Sequence, residues 1–549
     1  MTGRTFATAL LMTGALIATL WVCVNPIYLE IDDAAIRLTI TGEDLAGEPP
    51  ASHLVFTHEG LARFAVALQR TVPDLPIWDL VLSVTLVSGL GGLCAVAWSA
   101  QQTAGWARAT GLAVTLAAAA PIVAGLQFTI SAVIGVGAAI LLVICELFGK
   151  ERPRPWLVIA AAVLLVSGYA IRPMAAEGAA LIILACCLPV AVAREPWRRR
   201  LNRLIAFGLV LLAAFTVLDF ADRALYAQRD GWADYYAHTW RFVNLIDWNS
   251  GARNLHLDSI RAAANWSAND WQLLWAGWGP TDQTLFGTEP VAKAFEVLRS
   301  ASSPLERARS AFQALDSRSI VELVRATSGM MAPVLVLAIG LGNRRAVLVT
   351  LAVLLEFLVI CVIVEAGFKE LPFRLLAPLQ VCLTGVIVVG ISDHPRMARP
   401  WLVIMTMVIT TALFAQQGWI AVQQARAEMN HARAIEAQTL EVLKLQPSLL
   451  VLHADAFPAG HWWRPFHRPP AQFPMIRLGG NNGNPLLRHY LKATGRSRLL
   501  VAICGDPSIM VIADRPRLDL VTRYMAEHEG RTITWDPAFE GSFSAWRCR

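Results

Sequence analysis

Charged residues are scarce in this chain of 549 residues. Asp, Glu, Lys and Arg make up 16% of it and hydrophobic residues 55%, whereas a soluble domain is about 25% charged. A long chain with so little charge is neither an ordinary soluble enzyme nor a disordered protein. Its polar residues concentrate in three segments, 28–78, 221–328 and 420–549. This pattern predicts a protein that crosses a membrane many times and carries large water-facing segments.

Sequence signatures of several common sites are also absent. The chain has no GxGxxG, no P-loop, no Ser nucleophile elbow and no Cys/His spacing typical of zinc. Seven of the nine cysteines lie in apolar runs, and only Cys504 and Cys548 lie in a polar segment. The net charge is +6, and Lys and Arg residues lie in short loops between apolar runs. Basic residues in such loops set the topology of a membrane protein. We therefore expect membrane lipids, and no nucleic acid, as partners.

Eleven apolar runs are candidates for membrane spans, each of which needs about 17–25 residues. The run at 329–342 is the shortest of them. Trp21 and Tyr28 flank the first run as interface anchors, so we interpret that run as a retained span and not as a signal peptide. The runs are 6–26, 79–100, 111–126, 129–148, 157–171, 176–193, 204–221, 329–342, 346–365, 376–391 and 401–419.

Basic loops predict the orientation of these spans. Loops 148–156, 194–203, 342–346 and 392–400 are rich in Lys and Arg and fall on one side of an eleven-span arrangement. The positive-inside rule places that side in the cytoplasm. The N-terminus is then cytoplasmic, and all three polar segments lie outside a bacterial inner (plasma) membrane. Cys504 and Cys548 would lie in an oxidising compartment, where a disulfide can form.

The last polar segment, 420–549, is predicted to be a periplasmic α/β domain that follows a transmembrane domain at 1–419. A polar helical run at 421–445 is followed by apolar stretches at 448–453, 498–503 and 509–513 and a helical pattern at 517–528. Short apolar stretches bounded by Asp, Gly or Pro are typical of strands. The predicted fold is an α-helical polytopic membrane protein with a C-terminal extracytoplasmic α/β domain.

Asp32 and Asp33 are the strongest candidates for chemistry. They follow the first span directly, where burial and mutual repulsion can raise the pKa of a carboxyl. Such a carboxylate can accept a hydroxyl proton as a general base. The alternative is that Asp32 only caps the helical turn that follows it.

Cations on the predicted outer face form a second group of candidates. Arg172 ends the fifth span, and Lys369 and Arg374 lie between the ninth and tenth. The positive-inside rule disfavours cations there. A phosphate at the membrane surface would explain them, because Arg binds phosphate in a bidentate manner. Snorkelling to lipid headgroups is the alternative.

The acidic pair after the first span resembles the hallmark of the GT-C glycosyltransferases, multi-span enzymes that use lipid-phosphate sugars. Further motifs similar to those of bacterial GT-C proteins follow in order along most of the chain. They are Thr41-Gly42, Gly47-Glu48-Pro49, His53-Leu54-Val55-Phe56, Pro76-Ile77-Trp78, Phe128-Thr129, Ile171-Arg172-Pro173, Trp266-Ser267-Ala268-Asn269-Asp270 and Leu371-Pro372-Phe373-Arg374.

The resemblance implies transfer of a hexosyl or pentosyl group from a polyprenyl-phosphate sugar to a glycan, lipid or protein acceptor on the external face. One of Asp32 and Asp33 would deprotonate the acceptor, and direct attack would invert the anomeric carbon. Arg172, Arg374 and Lys369 would stabilise the departing lipid phosphate, and Asp270 and Trp266 would shape the sugar or acceptor site. Some members of the class use a divalent metal, but the sequence has no compact carboxylate cluster for one and predicts no certain cofactor.

Three other classes of protein remain as alternatives, and one of them is a receptor whose outer domains only bind a ligand. A transporter or flippase for a lipid-linked sugar would need polar residues at mid-membrane, and Glu356 is the deepest acid in a span. An O-antigen polymerase or ligase has many spans and a large external loop, but it depends on loop Arg and His residues. The first-loop acidic pair favours the glycosyltransferase.

Overall fold

The structure is a computed structural model of the chain. It describes residues 2–549 except for 44–49, 55, 101–118, 120–121, 124, 149–153, 194–195, 247–252, 255, 302–343, 368–372, 392–399, 454, 479–484 and 497.

The chain begins with long apolar helices joined by short external ones. The elements up to residue 148 are α1 Gly3–Val24, β1 Ile27–Tyr28, α2 Ile31–Thr41, α3 Glu59–Thr71, α4 Ile77–Ala100, β2 Gly125–Leu126 and α5 Phe128–Phe148. Strands β1 and β2 form a short parallel pair, in which Tyr28 lies opposite Leu126. This pair brings the start of α2 next to the start of α5.

The middle of the chain is entirely helical where it is described. Its helices are α6 Pro155–Ile171, α7 Pro173–Cys186, α8 Leu188–Val192, α9 Trp197–Tyr226, α10 Trp232–Ile246, α11 Leu257–Ala264, α12 Ala268–Leu273, α13 Gln283–Phe286, α14 Thr288–Ala301, α15 Arg344–Gly367, α16 Phe373–Ile391 and α17 Pro400–Lys444. A π-helical turn, Leu274–Trp278, and a 3₁₀ turn, Gly279–Thr281, join α12 to α13.

Six helices of the described chain are long and apolar enough to cross a membrane. They are Gly3–Cys23, Ile77–Ser99, Phe128–Phe148, Pro173–Val192, Trp197–Tyr226 and Arg344–Val364. Pro155–Ile171 and Arg374–Gly390 are shorter apolar helices. All eight match predicted spans, and the predicted span 401–419 is the first part of α17. The span at 329–342 and most of the span at 111–126 lie outside the described residues, so the count of eleven stays a prediction.

Helix α5 is the centre of the apolar bundle and connects its two ends. It is buried nearly all round and packs against α4, α6, α7 and α16. At its first residue, the Phe128 N–H donates to Asp33 Oδ1 over 2.8 Å. At its last turn, Arg200 and Arg203 donate to the carbonyls of Phe148 and Leu147 over 3.3 and 2.5 Å. A helix of this length spans about 31 Å, about the thickness of a bilayer core. The acidic pair therefore lies at the opposite end of the bundle from Arg200 and Arg203.

The C-terminal part is an α/β unit built on a five-stranded sheet of order β4-β3-β5-β7-β6. Its elements are β3 Leu449–His453, α18 Ala459–Trp462, β4 Met475–Leu478, α19 Pro485–Ala493, α20 Leu499–Gly505, β5 Ile509–Ile512, α21 Arg515–Glu529, β6 Trp535–Glu540 and β7 Ser544–Cys548. The first three strands in this order are parallel, whereas β7 is antiparallel to both β5 and β6. The predicted α/β character is present, and α17 runs without a break through residues 419 and 420.

One predicted strand in this unit is wrong. Residues 498–503 were expected to be extended, but Leu499–Gly505 form helix α20. Its buried residues Leu499, Leu500 and Ile503 share one helical face, whereas a strand would alternate them. A short apolar run does not distinguish the two structures by itself.

Cys504 and Cys548 form a disulfide with a Cα–Cα distance of 4.9 Å and a sequence separation of 44 residues. The sequence allowed this pairing without deciding it, and the structure contains the bond. The bond joins α20 to the last strand of the sheet, so it ties the chain's C-terminal end to the interior of the α/β unit.

We expect the Cys504→Ser/Cys548→Ser variant to lose about 2–4 kcal/mol of stability in this unit, because a loop of this length is no longer closed in the unfolded chain. Thermal unfolding with and without dithiothreitol measures the loss. Cys23→Ser, which changes an exposed free cysteine in α1, is the control. An unfolding temperature that neither the double substitution nor reductant lowers would contradict the stabilising bond.

Candidate functional site

Helix α2 carries the acidic pair in its first turn. Glu30 occupies the N-cap position in an extended conformation, and Asp32 and Asp33 follow inside the helix, where the helix dipole favours negative charge. The helix ends at Gly42, whose φ of 77° is left-handed and suits glycine. The alternative in which Asp32 caps the following turn is therefore wrong, because the helix has already begun at Ile31.

Asp33 is fully buried and tied to the central helix. Its Oδ1 accepts the Phe128 N–H, and its Oδ2 has no hydrogen-bond partner within the described chain. Burial raises the pKa of Asp33 well above its usual value, the charges of Asp32 and Glu30 add to this, and the Phe128 N–H opposes it. Through the Phe128 N–H bond this carboxyl joins the first turn of α2 to the start of α5.

Asp32 has a different environment from its neighbour. Its side chain is half-buried, and no hydrogen bond or ion pair joins it to another described residue. Its charge acts on Arg172, whose cationic form it favours. Of the two carboxylates, Asp32 is therefore the one that is accessible to a substrate.

Arg172 lies at the junction of α6 and α7 and faces the acidic pair. Its guanidinium lies 4.2 Å from the ring centre of Phe56 and 4.5 Å from that of Phe128, and Nη1 is buried without a hydrogen-bond partner among the described residues. Burial lowers the pKa of Arg172 to about 10 against the opposing charge of Asp32, and Arg374 lowers it further. The side chain is still a cation at neutral pH. A buried N–H donor without an acceptor is costly, so this position favours an anionic ligand.

Arg374 and Glu30 complete the cluster. Arg374 Nη1 lies 2.8 Å from Glu30 Oε1 in a half-exposed ion pair. Burial raises the pKa of Glu30, although Arg374 acts in the opposite direction. The structure thus brings together four residues of the sequence-predicted site from three separate parts of the chain: Asp32 and Asp33, Arg172, and Arg374. Lys369 lies outside the described residues.

Sequence reasoning missed Glu30 and Phe128 as members of this site. Glu30 precedes the pair by two residues in an extended segment, and this spacing is the signal that could have found it. The backbone N–H of Phe128 leaves no trace in the sequence, because any residue type except proline would supply the same donor.

An apolar cleft adjoins Arg172. Arg172 and Asp222 are its charged members. The Asp222 carboxylate already accepts the Glu59 N–H over 2.6 Å, so Arg172 is the group with a free polar atom. The apolar and aromatic walls are Phe56, Pro173, Met174, Tyr236, Trp240 and Val243. A cleft of this kind fits an amphiphile with an anionic head.

Trp266 and Asp270 lie elsewhere and take part in packing. Trp266 is 4% exposed, and its indole N–H donates to the Leu285 carbonyl over 2.9 Å. Asp270 forms a capping box with Ser267 and lies 2.8 Å from Nε2 of His528 in α21. No contact between described residues joins either side chain to the acidic cluster, so their predicted role in a sugar or acceptor site has no geometric support.

One group of side chains in the described chain could hold a metal ion. The ligand atoms of Asp270, Glu527 and His528 lie within 4.8 Å of one another. The Asp270–His528 hydrogen bond already accounts for this proximity. The group involves neither Asp32 nor Asp33.

We expect Asp33→Asn to gain stability relative to the native chain as the pH rises from 5 to 8. An acid with a raised folded-state pKa contributes stability below its unfolded pKa of about 3.9, and this contribution is lost as the pH rises through the folded-state value. Asn stays neutral and can still accept the Phe128 N–H. The unfolding temperature of Asp33→Asn minus that of the native chain should be larger at pH 8 than at pH 5. A difference that does not change with pH would contradict the raised pKa.

Comparisons with known proteins identify no family. No protein-family model matches the chain, and no curated protein matches it. Two solved structures of ArnT from Cupriavidus metallidurans are similar to it at 12% identity. The one bound to undecaprenyl phosphate has a TM-score of 0.40 over 100% of this chain and 98% of its own. The one in the apo state has a TM-score of 0.39 over 98% and 97%.

Proposed function

We propose that this chain is an integral membrane glycosyltransferase that transfers a sugar from a polyprenyl-phosphate donor to an acceptor. The observation that carries the proposal is the meeting of Asp32, a carboxylate that pairs with no described residue, with the buried cation Arg172, whose Nη1 has no hydrogen-bond partner in the described chain. Both lie beside an apolar cleft that Arg172 lines. Catalysis of this transfer needs a base for the acceptor and a cation for the departing phosphate. The sequence resemblance to GT-C enzymes points to the same reaction.

Asp32 is the general base in this mechanism. Its carboxylate removes the proton of the acceptor hydroxyl while the hydroxyl oxygen forms a bond to the anomeric carbon. The bond from that carbon to the phosphate oxygen breaks in the same step, so the configuration inverts and the lipid phosphate leaves with the electron pair. Asp33, which is buried and accepts the Phe128 N–H, positions the helix and takes no proton from the acceptor.

Arg172 stabilises the departing phosphate. Its free Nη1 is a preformed donor for an anion, and preorganised donors in a dry site are the largest single source of such stabilisation. The neighbouring cleft holds the first isoprene units. Arg374 adds positive charge near Arg172, but its pairing with Glu30 weakens its contribution to stabilising the phosphate.

The site faces the outside of the cell in this proposal. Arg200 and Arg203 bind the far end of α5, and basic loops favour the cytoplasm. The acidic cluster and the disulfide-bonded α/β unit would then face an oxidising compartment. The N-terminus is cytoplasmic in this arrangement. The acceptor is a glycan, lipid or protein, and the sugar is a hexose or a pentose.

Glu356 supports a second candidate, a transporter for the same lipid. Its Oε2 in α15 is buried without a partner among the described residues, and an acid within a membrane span is functional by default. Proteoliposomes loaded with radiolabelled undecaprenyl-phosphate sugar distinguish the two functions. We expect release of undecaprenyl phosphate when an envelope extract is added as acceptor. Movement of intact donor across the bilayer without its cleavage would establish the transporter instead.

A further inference from the structure

Segment 464–467 of the α/β unit lies against the helix that carries the acidic pair. Arg37 of α2 donates from Nη1 to the Arg464 carbonyl over 2.6 Å and from Nη2 to the His467 carbonyl over 2.8 Å. The Phe466 N–H donates to Asp79 Oδ2 over 2.7 Å. Three main-chain groups of one short segment are therefore held by two side chains of the transmembrane part.

These two side chains belong to a closed network beneath α2. Arg37 and Asp79 are both buried, and their charged groups lie 3.7 Å apart. The Tyr28 hydroxyl donates to the second Asp79 oxygen, and Tyr28 belongs to β1, whose partner β2 leads into α5. Since Arg37 follows Asp33 by one helical turn, α2 is fixed by α5 at one turn and by the α/β unit at the next.

Phe466 has a backbone conformation that its surroundings must impose. Its φ of 58° is left-handed, which is uncommon for residues other than glycine. The ring lies 5.8 Å from that of Trp21 at the end of α1, and the N–H points to Asp79. A non-glycine residue in this conformation indicates that segment 464–467 packs against the bundle in one specific conformation.

We propose that Arg37 and Asp79 are positioning residues, through which segment 464–467 holds α2 so that Asp32 faces Arg172. The inference rests on the proposed function and extends it, because it gives the α/β unit a part in the transfer step. Neither residue touches the substrate. Both act by fixing the helix on which the base is mounted.

The test compares Arg37→Gln and Arg37→Lys in the release of undecaprenyl phosphate from a radiolabelled donor. We expect Arg37→Gln to lower kcat about 10- to 100-fold, since small misplacements of a catalytic group have effects of this size, with KM for the donor within about twofold. Lys can reach one of the two carbonyls, so Arg37→Lys should recover part of kcat. The matched control is Arg468→Ala, which breaks the exposed Arg468–Asp74 pair, 3.7 Å long, between the same parts of the chain.

If Arg37 substitutions unfold the protein, a less disruptive variant tests the same positioning role. Tyr28→Phe removes only the hydroxyl that binds Asp79, and we expect a severalfold loss of kcat at unchanged donor KM. Hydrogen exchange of the amides in α2 should rise in both variants and stay native in Arg468→Ala. A kcat equal to that of the control in a folded Arg37→Gln or Tyr28→Phe protein would overturn the inference. If the native chain releases no undecaprenyl phosphate, the proposed function is wrong. The positioning role of Arg37 is then tested separately, because α2 amides that exchange at the native rate in Arg37→Gln and Tyr28→Phe would overturn it.

Discussion

Replacing Asp32 with Asn is expected to lower kcat for sugar transfer about 100- to 10,000-fold, the range that loss of a general base produces. Asn keeps the size of the side chain but cannot accept the acceptor's proton. Asp32 is half-buried and has no partner among the described residues, so the substitution removes no packing or hydrogen bond. Donor KM and the unfolding temperature should therefore stay close to native. The measurement is release of undecaprenyl phosphate by the purified protein in detergent.

Asp33→Asn is the matched control for this prediction. Because Asp33 is buried, has a raised pKa and accepts the Phe128 N–H, an uncharged amide can replace it, and we expect less than a tenfold loss of kcat. The opposite ranking, with Asp33→Asn inactive and Asp32→Asn close to native, would identify Asp33 as the general base. If both variants keep full activity, the mechanism is wrong.

Arg172→Gln is expected to lower kcat about 100- to 1,000-fold, the effect of removing one preorganised donor to a developing anion. The substitution also exposes the rings of Phe56 and Phe128 to an empty volume, because the guanidinium lies on both. Arg172→Lys keeps the charge without the planar donor set and should show an intermediate rate. Binding of undecaprenyl phosphate, measured by calorimetry, should weaken in the same order.

Arg374→Gln provides the comparison for Arg172. Its guanidinium is 30% exposed and paired with Glu30, so solvent and the paired acid screen its charge. We expect a loss of kcat of less than about tenfold. Equal losses of kcat in Arg172→Gln and Arg374→Gln would show that the combined positive charge of the two arginines, and not the buried Nη1 donor of Arg172, stabilises the phosphate.

The apolar helices could be predicted from the sequence because membrane spans depend on composition over about twenty residues. The strands and helices of the α/β unit were harder to predict from the sequence. Strand β6 contains Pro537, which a central strand would not tolerate, and it lies at the edge of the sheet. Residues 498–503 form a helix because their buried side chains share a helical face. Neither arrangement follows from hydrophobicity alone.

The candidate site was predictable only in part. Asp32, Asp33, Arg172 and Arg374 stand out because charge is rare in the chain and unfavourable at their positions. The different roles of the two aspartates depend on one backbone N–H, that of Phe128, which is 95 residues away. Asp270 looks like a functional acid in the sequence, but its capping of α12 and its contact with His528 explain it structurally.

A cryo-EM structure of the protein with undecaprenyl phosphate tests the central claim most directly. We predict that a phosphate oxygen lies within hydrogen-bond distance of Arg172 Nη1, with the prenyl chain along Tyr236 and Trp240 and with Asp32 across the cavity from the phosphorus. A phosphate bound away from Arg172, or at the Arg200 end of α5, would contradict the account.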